Sequence, residues 1–385
     1  MTVWKTYKLG DIAKFQTGKL NSNAAVENGK YPFFTCSPNT LAIDNYAFDK
    51  EAILLAGNNA EGNFSIKYYK GKFNAYQRTY IIETYNDICD IKFLFYALKL
   101  CLQQFKLMSQ GTSTKFLTAV ILNNFEISLP SLEEQRRIAG ILGAIDDKIE
   151  CNRRINTNLE SQAQALYKQW FVDFDFPNED GKPYKSSGGK MADSELGLIP
   201  EGWSVGALSD LADITMGQSP NGKSFNENGD GIVFYQGRTE FGVRYPSIRL
   251  YTTEPTRYAE PMSVLLSVRA PVGDINIAIQ RCCIGRGVAS IKSKTDDNAY
   301  MYCCLKELRP QLDQYNGEGT VFGSINRKEL EGLVLCIPKY EIIRKFNDVI
   351  LGTDKQMLNL YQQTQTLATL RDTLLPKLMN GEIKL

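Results

Sequence analysis

The sequence predicts an α/β chain, more narrowly α+β, built as a pseudo-two-fold internal repeat: two similar globular domains separated by two long antiparallel coiled-coil helices. Three observations carry this. "WKTYKLGDIAKFQTG", beginning at Trp4, recurs without a gap as "WSVGALSDLADITMG" from Trp203, pairing Leu9 with Leu208, Asp11 with Asp210, Ala13 with Ala212 and Gly18 with Gly217. Further on, "GTSTKFLTAVILNNFEISLP", ending at Pro130, matches "GTVFGSINRKELEGLVLCIP", ending at Pro338, so that Gly111 answers Gly319 and Leu122 answers Leu330. Between them, "ILLAGNNAEGNFSI" (53–66) is similar to "VLLSVRAPVGDINI" (264–277). After each proline, apolar positions step alternately by four and three over several heptads, the pattern of a coiled coil rather than of a helix lying on its own domain.

In chain order, a first domain is expected over residues 1–130 and a helix over 131–172, its seam formed by Ile138, Leu142, Ile145, Ile149, Asn152, Asn156, Leu159, Ala163, Leu166 and Trp170. Residues 173–202, rich in Gly, Pro, Ser and charge, read as a linker. Their "EDGK" (179–182) loosely resembles the acid and lysine set of metal-dependent nucleases, but such a site needs positioned strands and this run has no strand pattern. In the second domain, 203–338, "DINIAIQ" alternates strictly. It places Ile275, Ile277 and Ile279 on one face and Asn276, Ala278 and Gln280 on the other, a half-buried strand entered through the turn "RAPVGD". The closing helix, 339–385, has the seam Phe346, Ile350, Thr353, Met357, Leu360, Thr364, Leu367, Arg371, Leu374 and Leu378. Each helix would be roughly 50 Å long. Asn152, Asn156, Thr353 and Thr364 would set register at some cost in stability.

Composition narrows the function. With 43% hydrophobic and 23% charged residues, the chain has the profile of a soluble globular protein of two or three domains. No apolar run reaches the length of a membrane span and the first residues do not read as a signal peptide, so a cytoplasmic location is expected, with no membrane partner. Nine cysteines, an odd number, read as reduced thiols; Cys282–Cys283 and Cys303–Cys304 are adjacent pairs, unlike the spaced ligands of zinc sites. The absence of histidine removes His-based triads, HNH-type nucleases and His-ligated metals. "GRGVAS" at Gly285 has two glycines of a phosphate loop and lacks its lysine. No catalytic and no metal-binding residue is expected, and the isolated chain should be inert.

The net charge of +1 announces no global basic field, so any DNA surface must be local. From Arg238 to Arg286 there are seven arginines, no lysine and four acids, and arginine is the residue that forks onto phosphate or a guanine edge. For any one of them a solvated strand face is the alternative. In the first copy the corresponding surface carries Lys67, Lys70, Lys72 and Arg78 among Tyr68, Tyr69 and Tyr76, tyrosines that more often pack than stack on bases.

Taken together, "LPSLEEQRRIAGIL", "WFVDFDFP", "IPEGW", "FYQGRTEFG", "LLSVRAPVGD" and "LRDTLLPKLMNGEI" resemble, in order and over nearly the whole chain, the DNA-specificity subunit of type I restriction-modification systems. The resemblance implies two target-recognition domains, each reading one half of a bipartite double-stranded DNA target, held apart by the two helices. It also implies that the helices dock two adenine-N6 methyltransferase subunits and that two ATP-driven restriction subunits join the larger assembly. S-adenosylmethionine, ATP and Mg are then expected on those partners and no cofactor on this chain. The candidate DNA-binding residues are Arg78, Thr112, Ser113, Thr114 and Lys115 in the first copy and Gln236, Arg238, Arg244, Arg269 and Arg286 in the second. Arg78 and Arg286 fall at matching positions of the aligned repeat, which would suit a pair of phosphate clamps. A nuclease using "EDGK" and a scaffold without sequence preference are the rival readings.

Overall fold

The structure is a computed structural model that describes residues 4–85, 87–317 and 323–383; Met1 and Gly319 lie outside them. The chain forms two compact units, Met1–Cys151 with Thr364–Leu385, and Asn152–Gln363, so each unit takes part of both long helices.

In the first unit a six-stranded sheet runs in the order Ala13–Thr17, Thr79–Thr84, Phe48–Ala56, Ile66–Ala75, Tyr31–Phe34, Leu41–Ile43. Its neighbours are antiparallel except where Phe33 and Phe34 pair in parallel with Asn74 and Ala75. One face packs Ile53, Leu55 and Ile82 against Phe93, Leu94 and Leu98 of the helix Ile91–Leu100. That helix starts at Asp90, whose side chain accepts the Phe93 N–H at 2.9 Å and satisfies a donor the first turn leaves open.

The second unit repeats this plan in two sheets. Ala212–Met216, Val288–Ser293, Val264–Ser267 and Ile275–Ile277 form one; Phe225–Asn226, Leu250–Thr252, Ile232–Tyr235, Cys282–Ile284 and Tyr258–Ala259 form the other. Where the first unit has the unbroken strand Ile66–Ala75, the second has two short ones, Ile275–Ile277 and Cys282–Ile284. "DINIAIQ" is therefore not the half-buried strand its alternation predicts: Asn276, Ile277 and Ala278 are all buried, and Asn276 satisfies its amide on the backbone of Gly242. All nine thiols are free, and burial pushes that of Cys303 up to about 12.

Ladder registers correct one sequence alignment. Ala13 faces Thr84 as Ala212 faces Ser293, and Ile53 faces Ile82 as Val264 faces Ile291. Counted along these strands, Arg286 answers Gln77, and Arg78 answers Gly287, so the two arginines are offset by one residue. Gly18 and Gly217, by contrast, are equivalent and needed: a Cβ would lie 1.8 Å from the Ala75 carbonyl oxygen in one copy and 2.2 Å from that of Gly285 in the other. Gly217→Ala is expected to cost about 1–3 kcal/mol as backbone is forced apart; an unchanged urea midpoint would show that the strands yield freely.

The first long helix, Leu132–Tyr167, continues into a π-helical turn, Lys168–Val172; the second spans Tyr340–Met379 and contains Pro376. In the first unit Ile138 and Leu142 share a core with Leu375 and Leu378, and Asp146 bonds Arg371 at 2.7 Å. In the second, Asn152 donates to Gln363 at 2.7 Å, Asn156 to the Met357 carbonyl at 3.3 Å, and Trp170 and Phe171 surround Phe346. Rising numbers meet falling ones, so the segments pair antiparallel within each unit. Ile149, Ala163, Ile350, Met357 and Thr364 are buried; Ile145, Leu159, Leu166, Leu360, Leu367 and Leu374 are half-buried. The carbonyl oxygens of the Asn152 and Asn156 side chains have no partner among the described residues, the cost of polar seam positions.

Residues 173–202 are not a solvated linker. Phe176 stacks on Trp203 at 5.1 Å and on Tyr184 at 4.6 Å, and Met191–Ser194 pairs with Gly197–Pro200 in a hairpin whose Ile199 is buried. Three aromatics outweigh the local Gly and Ser content, and the segment belongs to the core of the second unit.

Candidate nucleic-acid interface

In the first unit Arg78 stands exposed just before the strand Thr79–Thr84, its guanidinium 5.3 Å from the ring of Phe116. Phe116 is held by the two-residue strand Lys115–Phe116, which pairs with Asn58–Asn59. The loop before it turns at Gly111 (φ +104°), where a Cβ would meet the Thr114 carbonyl oxygen at 2.1 Å, so a tight return requires glycine. Thr112 and Ser113 are exposed, Thr114 and Lys115 half-buried. The fold thus sets Arg78 against Phe116, the residue that directly follows residues 112–115. The Lys67, Lys70 and Tyr69 surface is partly spent: Lys67 bonds the Ser37 carbonyl at 2.8 Å, Lys70 faces Glu51 at 3.5 Å, and Tyr69 packs edge-on to Phe73.

In the second unit Gln236, Arg238, Arg269 and Arg286 line one open concavity of about 230 Å³, joined by Arg249. Arg269 bridges Ser324 through its backbone, the same place in the repeat at which Asn58 bridges Phe116. Among the described residues the guanidinium groups of Arg269 and Arg286 have no hydrogen-bond or ion-pair partner. Arg238 is paired with Asp274, and Arg249 with Glu240. Two uncommitted forks beside two held ones suit a polyanion: the free pair can take phosphate or a guanine edge, while the paired ones are preset in direction.

Arg244 is a correction. It is 6% exposed, bonded to Glu160 and, at 2.7 Å, to Asp354, with its guanidinium 4.2 Å above the ring of Tyr302. Burial would strip its charge, but Asp354 and Glu160 hold it well above the usual arginine value. Glu160 also receives Lys306 at 2.6 Å, and against its burial the two cations keep its carboxyl below the usual range. Asp354 has the one guanidinium, and burial leaves its carboxyl above the usual range. Arg244 is therefore a structural cation. Arg281, likewise, is committed to Glu260 at 3.1 Å and to the ring of Tyr258. Sequence reasoning missed Glu160 and Asp354, although a signal existed: Asp146 and Asp354 occupy equivalent places beside the seam in the two helices, and each holds an arginine.

"EDGK" lies in an exposed turn closed by the Asn178 side chain, which accepts the Asp180 and Lys182 N–H groups at 3.0 and 2.9 Å. Among the described residues no group of three or more His, Cys, Asp or Glu side chains could hold a metal ion, and no helix is long and apolar enough to cross a membrane.

The same fold is written twice, and each copy presents cationic side chains beside a short bridged segment. The chain belongs to the family of the type I restriction modification DNA specificity domain, which it matches over residues 1–161 and again over 200–362. It is 39% identical over 225 residues to the putative type I restriction enzyme MjaX specificity subunit of Methanocaldococcus jannaschii, a match spanning 57% of this chain and 50% of that one. Over 415 residues it is 29% identical to the EcoDI specificity subunit of Escherichia coli, covering 99% of this chain and 88% of the relative. Its fold is that of the solved S subunit from M. genitalium, with a TM-score of 0.63 over 98% and 96% of the two chains at 17% identity. The resemblance read from sequence motifs is thereby established as family membership, and the specificity-subunit role with it.

Proposed function

We propose that the chain reads a bipartite double-stranded DNA target, one half-site per globular domain, and that its paired helices dock two adenine-N6 methyltransferase subunits, to which restriction subunits add. The chain supplies address and the partners supply chemistry. One observation carries this reading: the bridge Asn58–Phe116 and the bridge Arg269–Ser324 occupy the same place in the repeated fold, and each sets cationic side chains on an open surface. Repetition within one chain supplies two readers of the same fold, as a dimer would supply to a split site. Selection of random duplexes by the chain reconstituted with a methyltransferase subunit should yield two defined half-sites around a gap of fixed length. Enrichment of no sequence would leave the scaffold reading.

Arg269 is the sharpest single test. If its free guanidinium forks onto a base, Arg269→Ala costs about 1–3 kcal/mol in binding and relaxes one position of the second half-site. Uniform weakening over all sequences would make it a phosphate contact instead.

A further inference from the structure

The segments linking the strand pair Tyr31–Phe34 and Leu41–Ile43, and its equivalent Ile232–Tyr235 and Leu250–Thr252, differ greatly between the copies. The pairs match in register, Tyr31 with Ile43 and Ile232 with Thr252, yet the first is joined by residues 35–40 and the second by residues 236–249. The longer loop begins at Gln236 and Arg238 in the open concavity and then turns inward. At its tip Val243 is 81% and Ile248 50% exposed, while Tyr245 between them is buried in the core of the second unit. The loop's contacts to the helices are both polar and aromatic. Arg244 reaches Glu160 of the first long helix and Asp354 of the second, Tyr245 packs on Tyr361 at 5.0 Å, and the Pro246 carbonyl accepts the Tyr361 hydroxyl at 3.1 Å. Asn276 fixes Gly242 from the sheet side through two hydrogen bonds of 2.9 and 3.0 Å. In the first unit, where the loop is short, the equivalent acid Asp146 is met instead by Arg371 and the Tyr96 hydroxyl, each at 2.7 Å.

We propose that Arg244 is a positioning residue for DNA recognition, fastening loop 236–249 to both long helices so that Gln236 and Arg238 are aimed by the helices rather than by the sheet alone. The proposal rests on the DNA-reading function inferred above. Its consequence is selective. Arg269 and Arg286 stand on other segments, beside the bridge to Ser324 and next to the strand Val288–Ser293, and keep their aim when the loop is released. Only contacts made through the loop should blur.

The test must separate aim from folding, because removing Arg244 alone leaves two buried carboxylates. The triple variant Arg244→Met, Glu160→Gln, Asp354→Leu removes the buried charges and leaves apolar side chains of similar size at 244 and 354, an exchange that buried ion networks often tolerate. It leaves Lys306, whose side chain is 35% exposed, free to turn to water. The full chain, reconstituted with its methyltransferase subunit, is melted and then used to select random duplexes. The expected result is melting near that of the parent and an unchanged first half-site. In the second half-site, preference should fall about tenfold at base pairs read through the loop, the scale of one bidentate contact. A triple variant that melts like the parent and selects the second half-site undiminished overturns the proposal. Should the triple variant melt early, Arg244→Lys, which keeps the charge but not the two-acid fork, takes its place with the same two outcomes. A parent protein that selects no sequence in either half would overturn the DNA-reading function itself, and the positioning role with it.

Discussion

Arg244→Ala destabilises the second unit by about 3–5 kcal/mol, the usual cost of leaving a buried charge without its partner. Asp354 loses its guanidinium and Glu160 is left with Lys306 alone. The substitution also empties the space above Tyr302. The loss depends on pH in a defined sense. Burial already holds the Asp354 carboxyl above its usual range, and without Arg244 it rises further. A folded-state pKa raised above the unfolded one means that the folded variant binds the proton more tightly, so the variant regains stability as pH falls through that raised value toward the ordinary carboxylate range. The gap between parent and variant should therefore narrow with acid. Urea unfolding followed by the fluorescence of Trp170 and Trp203, both buried in the second unit, reads this directly. A loss below about 1 kcal/mol, the level of solvent-exposed pairs, would show that the network contributes no more than a surface salt bridge.

Adding one heptad after Asn156 and one after Thr364, equivalent places in the two helices, shifts the preferred gap between half-sites by about three base pairs. Seven residues restore the seam phase, and at 1.5 Å per residue each helix gains roughly 10 Å. At 3.4 Å per base step this is about three base pairs. Neither reading surface is altered, so both half-site sequences should persist. Three base pairs also rotate the duplex by about 100°, given roughly 10.5 per turn, so affinity should fall as DNA twists or the reading domains turn. Selection of random duplexes measures gap and half-sites together. A folded variant that binds the methyltransferase and keeps the parent gap would show that the helices do not set the spacing.

Which arginines are exposed and uncommitted was only partly legible in the sequence. Arg238, Arg244, Arg249, Arg269, Arg281 and Arg286 look alike as letters, yet Arg244 is sealed between two helices while Arg269 and Arg286 are uncommitted. The acids that decide this, Glu160 and Asp354, are distant in sequence from Arg244 and from each other. The linker failed for a related reason: Gly and Ser content is local, but Phe176 finds Trp203 and Tyr184 only in the folded unit. The strand "DINIAIQ" obeys its period yet is covered on both faces, because alternation records which side chains share a face and not what covers it.

By itself the sequence determined the repeat, the helices and their seams, and the family, because each is carried by periodicity or by internal self-comparison, which need no knowledge of distant neighbours. Tertiary structure alone decided the register that separates Arg78 from Arg286, the gathering of Gln236, Arg269 and Arg286 into one concavity, and the withdrawal of Arg244 from it. These depend on pairings between residues far apart in the chain. A charge's role is set by what lies within a few ångströms of it and by how much water remains there.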